Sequence, residues 1–313
     1  MNTNRSTDFK SWSALRQVHH RDCRAFTLTE LLVVLVTLGL LTTLLLPALA
    51  NNQSGSTKAF QCLNNMRQLG LGWLLYSQDN HDRLMSNSDI TGQSPLNWTC
   101  PAIGGAAAAL DSTTSSRNTN NTYLTIDAVI YGVRTTALMA HYVSNSTNIY
   151  RCPADNDLST SQLQLGWQYR IRSYAMDGAM GDGSKWFAPG NGGNWVTFYN
   201  AKKLTDLHNP GPGNCWVIMD EHPNSDDDAT LYVNPADANR TGTTFTELPG
   251  SMHGSAAGMV YADGHSDLHR WAGRVTTQPF DPNSTSYLQA VSVTGDPASQ
   301  NDLTWLAQHT PAN

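Results

Sequence analysis

The longest apolar run in the chain lies near the N-terminus, from Phe26 to Leu46, and its single charged residue is Glu30. A helix rises 1.5 Å per residue, so about 20 apolar residues cross a hydrocarbon layer of ~30 Å. The run therefore predicts a transmembrane helix over residues 26–50. Pro47 has no amide hydrogen, which predicts a distortion near the end of this helix.

A second helical pattern covers residues 51–80, where apolar residues recur at intervals of three or four. They are Phe60, Leu63, Met66, Leu69 and Trp73. Polar residues occupy the remaining positions. This pattern predicts an amphipathic continuation of the first helix, packed on the globular part of the chain.

Strand signals come late in the sequence. Residues 216–219 form a short apolar run, and residues 231–233 are a candidate pairing partner for it. Asp263-Gly264 separates two strand-like runs, at 258–262 and 265–271. Asp-Gly predicts a hairpin, because a type I′ turn needs positive φ at both central positions. Helices followed by such strands predict an α+β protein.

Composition narrows the possible partners. The net charge is −6, charged residues make up 14% of the chain, and no basic run follows residue 25. Nucleic acid is therefore not an expected partner. Basic residues are concentrated before the apolar run, which predicts a cytoplasmic N-terminus and an exported remainder.

Glu30 distinguishes between interpretations of the apolar run. Cleavage after Ala48-Leu49-Ala50 would make it a secretory signal peptide, and an uncut run would be a plain signal anchor. A carboxylate at membrane depth costs about 2.5–3.5 kcal/mol, so it indicates a specific partner that neither alternative supplies.

The ten residues from Ala25 to Val34, AFTLTELLVV, closely resemble the class III signal of type IV prepilins and type II secretion pseudopilins. The resemblance implies that a prepilin peptidase removes the leader, residues 1–25, between Ala25 and Phe26 and that Phe26 is then N-methylated. Glu30 matches the charged position of the motif. The family usually has glycine before the cleavage site, where this chain has Ala25.

This resemblance implies a structural subunit of a pilus or pseudopilus, most similar to those of type II secretion systems. Its implied partners are other pilin or pseudopilin subunits, the peptidase/methyltransferase, the inner-membrane assembly platform and the lipid bilayer. Glu30 would neutralise the new amine of Phe26 on a neighbouring subunit, so that two charges costly alone in lipid become tolerable together.

The implied location is the bacterial inner membrane, with the head, residues 81–313, on the periplasmic or extracellular side. The implied fold is pilin-like α+β. In it, one long N-terminal helix, with a membrane half and an amphipathic half, packs on an antiparallel sheet with long loops.

A second resemblance rests on His253, which nine residues separate from Asp263-Gly264. This pattern is similar to the His-x9-Asp-Gly signature of a large family of pilin-like bacterial proteins. Blocks that begin at Cys62, Arg172 and Asp220 also resemble that family. Because its molecular task is poorly defined, this resemblance concerns architecture more than function.

A group of acidic and histidine residues near predicted strand ends is a candidate cation site. Its members are Asp220, Glu221, Asp228, Asp263 and His253. Calcium, which the pseudopilin resemblance implies in a C-terminal loop, prefers oxygen ligands, whereas histidine suits a transition metal. No compact ligand motif is present, so the alternative is that these residues cap turns and bond the hairpin backbone.

Four cysteines follow the leader. They are Cys62, Cys100, Cys152 and Cys215. In an oxidising compartment an even number makes two disulfides plausible, and three pairings are possible. The alternative is that some of them are buried thiols.

Two other functions compete with that of a structural subunit. Glycine-rich loops carrying Trp186, Phe187 and Trp195 suggest a glycan-binding adhesin that keeps the same anchor. Asp220 or Glu221 with His253 suggests a membrane-anchored glycan-active enzyme. However, neighbouring strand residues point to opposite faces, so Asp220 and Glu221 are not expected to share a site. No nucleophile or phosphate-loop motif is present. An enzyme is therefore not predicted.

Overall fold

The computed structural model describes most of the chain after residue 26. The described residues are 27–51, 56–87, 96–99, 119–125, 128–130, 133–181, 186–187, 195–196, 200–226, 229–239, 242–284 and 288–312. The chain divides into two compact units, one ending at Asn51 and the other beginning at Asn52.

The described elements follow in chain order. The α-helices are α1 (Leu28–Asn51), α2 (Ser56–Asp79), α3 (Leu138–Tyr142), α4 (Thr160–Gln164) and α5 (Pro297–Gln308). The strands are β1 (Leu96–Asn97), β2 (Ala128–Ile130), β3 (Val133–Ala137), β4 (Tyr174–Asp177), β5 (Trp186–Phe187), β6 (Trp195–Val196), β7 (Trp216–Asp220), β8 (Thr230–Leu231), β9 (Thr244–Glu247), β10 (Ala256–Tyr261), β11 (Ser266–Arg270) and β12 (Gln289–Ser292). Short 3₁₀ helices cover Asn121–Leu124, Asn148–Tyr150, Leu204–Asp206, Pro212–Asn214 and Pro235–Asn239.

Helix α1 exposes apolar side chains around its whole circumference. From Leu28 to Leu41 its leucines and valines are 44–80% exposed. Glu30 lies in the first turn, and its carboxylate accepts hydrogen bonds from the backbone amide and hydroxyl of Thr27, at 2.9 and 2.8 Å. Within the described part of the chain, no helix is both long and apolar enough to cross a membrane.

The second unit is built on a five-stranded sheet with the order β11-β10-β7-β4-β8. Its first four strands are antiparallel neighbours, and β8 joins the edge of β4 in parallel. The predicted hairpin is confirmed, because β10 and β11 pair on either side of Asp263-Gly264. The type I′ turn predicted there is not formed, since Gly264 has a φ of +89° but Asp263 does not have a positive φ.

Helix α2 packs on this sheet through one face. The most deeply buried apolar residues of that face are Cys62, Met66, Leu69 and Trp73. A Cβ at Gly70 would lie 2.4 Å from the side chain of Val260, so glycine permits close contact between α2 and β10. Phe60, which the pattern had placed on the same stripe, is 73% exposed.

Helix α5 covers a second core on the other side of the sheet. Leu303 and Leu306 of α5 are buried there with Trp216, Met259 and Trp271. The remaining strands form three smaller groups, β1-β3-β2, β12-β9 and β5-β6.

The predicted fold class requires correction. The α+β class holds, but the pilin-like arrangement of one long helix with a membrane half on an antiparallel sheet is wrong. No described helix is long and apolar enough to span a membrane, and the central sheet is mixed. The candidate strand at residues 231–233 does not pair with β7, because Leu231 belongs to β8 beside β4.

Several predicted residues lie outside the described residues. They are the leader with Ala25, together with Phe26, Cys100 and Asp228.

Candidate metal centre

Four side chains from distant parts of the sequence meet between helix α2 and the sheet. Cys62 lies on α2, and Cys152 follows the 3₁₀ helix Asn148–Tyr150. Asp220 ends β7, and His253 lies in the turn before β10. Because β7 and β10 are antiparallel neighbours, the end of one strand lies beside the start of the other. These two strand ends lie beside Cys62 of α2.

The four candidate donor atoms all lie within 4.8 Å of one another. His253 Nε2 is 3.3 Å from Cys152 Sγ and 3.4 Å from Asp220 Oδ2. Cys62 Sγ is 3.6 Å from Asp220 Oδ1. Zinc bonds of about 2.0–2.3 Å in a tetrahedron place neighbouring ligand atoms roughly 3.3–3.8 Å apart. This cluster of Cys, Asp and His side chains can therefore hold a metal ion.

The arrangement of His253 also argues against a nucleophilic triad. In such a triad one imidazole nitrogen faces the nucleophile and the other faces the carboxylate. Here Nε2 faces both Cys152 and Asp220. One nitrogen that converges with two thiols and a carboxylate is the arrangement expected of a ligand.

The centre is closed to solvent. Cys62, Cys152 and Asp220 are each 0% exposed, and the side chain of His253 is 2% exposed. A Cβ at Gly258 would lie 3.2 Å from Cys62 Sγ and 3.3 Å from Asp220 Oδ2, so glycine lets β10 approach the centre. Catalytic metal sites keep an open position, whereas structural sites are closed by protein ligands.

Further hydrogen bonds orient the donor atoms. The Tyr174 hydroxyl donates to Cys62 Sγ at 3.4 Å, and the Ala154 amide donates to Cys152 Sγ at 3.3 Å. The Gly258 amide donates to Asp220 Oδ2 at 2.7 Å. Such outer contacts fix ligand orientation in metal sites.

Burial and close contact shift the pKa values of the side chains in the centre. Burial raises the pKa of the Cys62 thiol, whereas the hydrogen bond with Cys62 lowers the pKa of Cys152. Burial alone would lower the pKa of His253, but hydrogen bonds to Asp220 and Cys152 outweigh it and raise the pKa to about 10. A bound cation would take the place of protons held by these groups.

A buried network of ion pairs lies next to the centre. Arg170 contacts Asp155 at 3.0 Å and Asp226 at 3.5 Å. Arg172 contacts Asp226 at 2.6 Å and Glu221 at 3.9 Å. These pairs tie the segment before β4 to the turn after β7 and to the segment that carries Cys152.

The structure divides the predicted cation residues between different places. Asp220 and His253 lie together in the centre. Glu221 is buried but faces Arg172, because it follows Asp220 and points the other way. Asp263 is 45% exposed in the hairpin turn and pairs with His265 at 2.6 Å.

Three of the predicted disulfide cysteines are described, and all three are free thiols: Cys62, Cys152 and Cys215. Cys215 is buried away from the centre, and its thiol donates weakly to the carbonyl of Trp216 at 3.8 Å. Burial raises the pKa of Cys215.

Sequence reasoning missed the two cysteines as candidate metal ligands and also missed the Arg170–Arg172 network. One signal was available, because Cys62 and Asp220 each begin a block that resembles the His-x9-Asp-Gly family, and His253 belongs to its signature. No family model, curated protein or solved structure matches this chain.

Proposed function

We propose that this protein is a structural subunit of a pilus-like assembly, most similar to a type II secretion pseudopilin. Helix α1 joins the equivalent helices of neighbouring subunits, and the α+β unit that follows is the displayed head. The observation that supports this most strongly is the exposed apolar surface of α1, a helix that begins within the prepilin-type motif. Its exposed large residues are Leu28, Leu31, Leu32, Val33, Val34, Leu35, Val36, Leu38, Leu40 and Leu41.

A helix that is apolar on all sides is stable only where an apolar environment covers it. Packing against like helices supplies such an environment. Glu30 then pairs with the amine of Phe26 of a neighbour, as the prepilin resemblance implies. The partners under this proposal are other pilin or pseudopilin subunits and the prepilin peptidase.

The proposal is tested by the N-terminal sequence and intact mass of the protein isolated from its native source. We expect a chain that begins at methylated Phe26 and sediments as a multimer. A chain that begins at Met1, or just after Ala50, contradicts the proposal.

We also propose that the Cys62–Cys152–Asp220–His253 centre binds zinc and that the ion holds the head together. Two sulfurs, one nitrogen and one oxygen form a donor set that suits zinc, whereas calcium takes six to eight oxygens. The absence of solvent access supports a structural role rather than a catalytic one. The sequence predicted calcium or another divalent cation, and of these the donor set favours zinc.

Metal analysis tests this second proposal. We expect one zinc per chain after reconstitution, and sulfur-to-metal charge-transfer bands when Co²⁺ replaces it. Cys152→Ala should lose both, whereas Cys215→Ala, which removes an equally buried thiol elsewhere, should keep both.

Three results would contradict the zinc centre. They are no bound zinc after reconstitution, a cobalt spectrum without sulfur bands, or equal metal loss in the two cysteine variants.

A further inference from the structure

A surface cavity of about 430 Å³ lies beside the segment that carries Cys152, and neither the assembly helix nor the metal centre accounts for it. Arg151 and Pro153, the residues on either side of Cys152, are part of its wall. Tyr169, which follows helix α4 in the chain, also lines the cavity. The volume falls in the range of small-molecule sites.

Arg151 is the one charged residue among the described residues that line the cavity. Its Nη2 donates to the carbonyl of Asp155 at 2.9 Å, but no described residue accepts a hydrogen bond from its Nε. The carboxylate of Asp155 pairs instead with Arg170, at 3.0 Å. Arg151 therefore has no carboxylate partner in the described part of the chain, and its Nε has no hydrogen-bond acceptor there.

The Arg151 guanidinium lies over an aromatic ring. Its central carbon lies 4.7 Å from the centroid of the Tyr169 ring. A guanidinium fixed over a ring presents a fork of N–H groups that matches the two oxygens of a carboxylate. In a chain of net charge −6, such a position is a specific place for an anion.

The rest of the wall suits a polyhydroxylated ring. Asn121, Thr147 and Asn148 supply amide and hydroxyl groups that both donate and accept hydrogen bonds. Pro153 and Ile171 add apolar surface. Tyr169 is 37% exposed, so its ring is accessible at the surface. A sugar combines apolar ring faces with hydroxyl edges, and a uronic acid adds a carboxylate.

We propose that this cavity binds a uronic acid residue of an acidic polysaccharide. Arg151 binds the carboxylate, Asn121, Thr147 and Asn148 bind hydroxyl groups, and Tyr169 contacts the ring. This gives the α+β unit a ligand class, and it does not depend on either the metal centre or the assembly of α1.

Calorimetric titration of the full chain, purified in a neutral detergent, tests the site with glucuronate, glucose and inorganic phosphate as probes. We expect saturable binding of glucuronate and at least tenfold weaker binding of glucose. Arg151→Gln should weaken glucuronate binding at least tenfold, and Tyr169→Ala, at an exposed position, should weaken it severalfold. Arg67→Gln makes the same charge change on the exposed surface of α2 and should leave binding unchanged.

Thermal unfolding of each variant shows whether it has kept the fold, and Tyr169→Ala retains the test if Arg151→Gln unfolds. The proposal is overturned if glucuronate does not saturate or if glucose binds equally well. It is also overturned if phosphate binds as tightly as glucuronate, or if Arg151→Gln and Tyr169→Ala both bind like the parent.

Discussion

At the scale of single residues, Asp220 is a carboxylate completely removed from solvent. It is fully buried, lies 3.4 Å from His253 Nε2, and accepts a hydrogen bond from the Gly258 amide. Asp263 offers a matched comparison, because it also pairs with a histidine but is 45% exposed. The two carboxylates differ mainly in how far they are removed from water.

We predict that Asp220→Asn lowers the free energy of unfolding by about 3 kcal/mol, since removing one member of a buried pair leaves the other uncompensated. Asp263→Asn should cost less than about 1 kcal/mol, because solvent screens an exposed pair. Urea unfolding with a chelator present measures both. Equal losses in the two variants would show that the burial of Asp220 has no energetic consequence.

The same residues show what could be predicted from sequence. Asp263 and Gly264 predict the β10–β11 hairpin, because the turn depends on two adjacent residues and their backbone angles. The metal centre has no such local signal. Cys62 and Asp220 are 158 positions apart, and Cys152 and His253 are 101 positions apart. The tertiary fold, including the packing of α2 on the sheet, brings them together.

At the scale of elements, short strands were the hardest to predict. Leu231 was expected to pair with β7, but the adjacent position is already occupied by β4, so β8 joins the far edge of β4. Strand propensity identifies a segment that can join a sheet. It does not identify which strand of the sheet still has an unpaired side. The antiparallel sheet was expected from the pilin resemblance, and the parallel pairing of β8 with β4 makes the sheet mixed.

Helix α1 carries the second prediction, which rests on the proposed assembly. Glu30→Ala should leave cleavage and methylation at Phe26 largely intact but abolish multimers, because the incoming amine loses its counter-charge. Asp79→Ala removes an exposed carboxylate at the end of α2 and serves as the control. N-terminal sequencing and sedimentation of both variants measure the effect. Multimers of the Glu30 variant that match those of the control would exclude the pairing.

The contact between strand β11 and helix α5 is expected to respond to pH. His269 of β11 stacks on Trp305 of α5, with ring centroids 3.4 Å apart. Burial is the largest cause of the lowered pKa of His269, which falls to about 4 from an ordinary value of 6.5. Asp302 and Asp267 partly offset this shift, and His309 adds to it.

The sign of this effect follows from proton binding. Above pH 6.5 the imidazole is neutral in both states, so the contribution of His269 to stability is complete. As pH falls from 6.5 towards 4, the unfolded chain binds a proton that the folded chain excludes, and stability is lost. We predict that His269→Phe reduces the loss in melting temperature between about pH 7 and about pH 5.

His141→Gln, at an exposed position of α3, should change this pH dependence little. The melting temperatures of the parent and both variants at the two pH values measure the difference. An unchanged pH dependence in His269→Phe would mean that other groups cause the acid sensitivity.

At the scale of the whole molecule, the candidate metal centre lies where four segments of the chain meet. Cys62 brings helix α2, Cys152 brings the segment beside the cavity, and Asp220 and His253 bring two neighbouring strands. A ligand that binds only the folded state stabilises it by about 2.7 kcal/mol at one hundred times its dissociation constant. In a domain of this size, each kcal/mol raises the melting temperature by roughly 2–4 °C.

We therefore predict that zinc at that excess raises the melting temperature of the chelated protein by about 5–10 °C. The shift should disappear in Cys152→Ala and persist in Cys215→Ala, since only the first variant removes a donor atom. Calcium at the same concentration should have little effect, because the two thiols are poor ligands for it. A shift that calcium reproduces, or that survives in Cys152→Ala, would place the ion elsewhere in the molecule and leave the buried Asp220–His253 pair to stabilise this region without a metal.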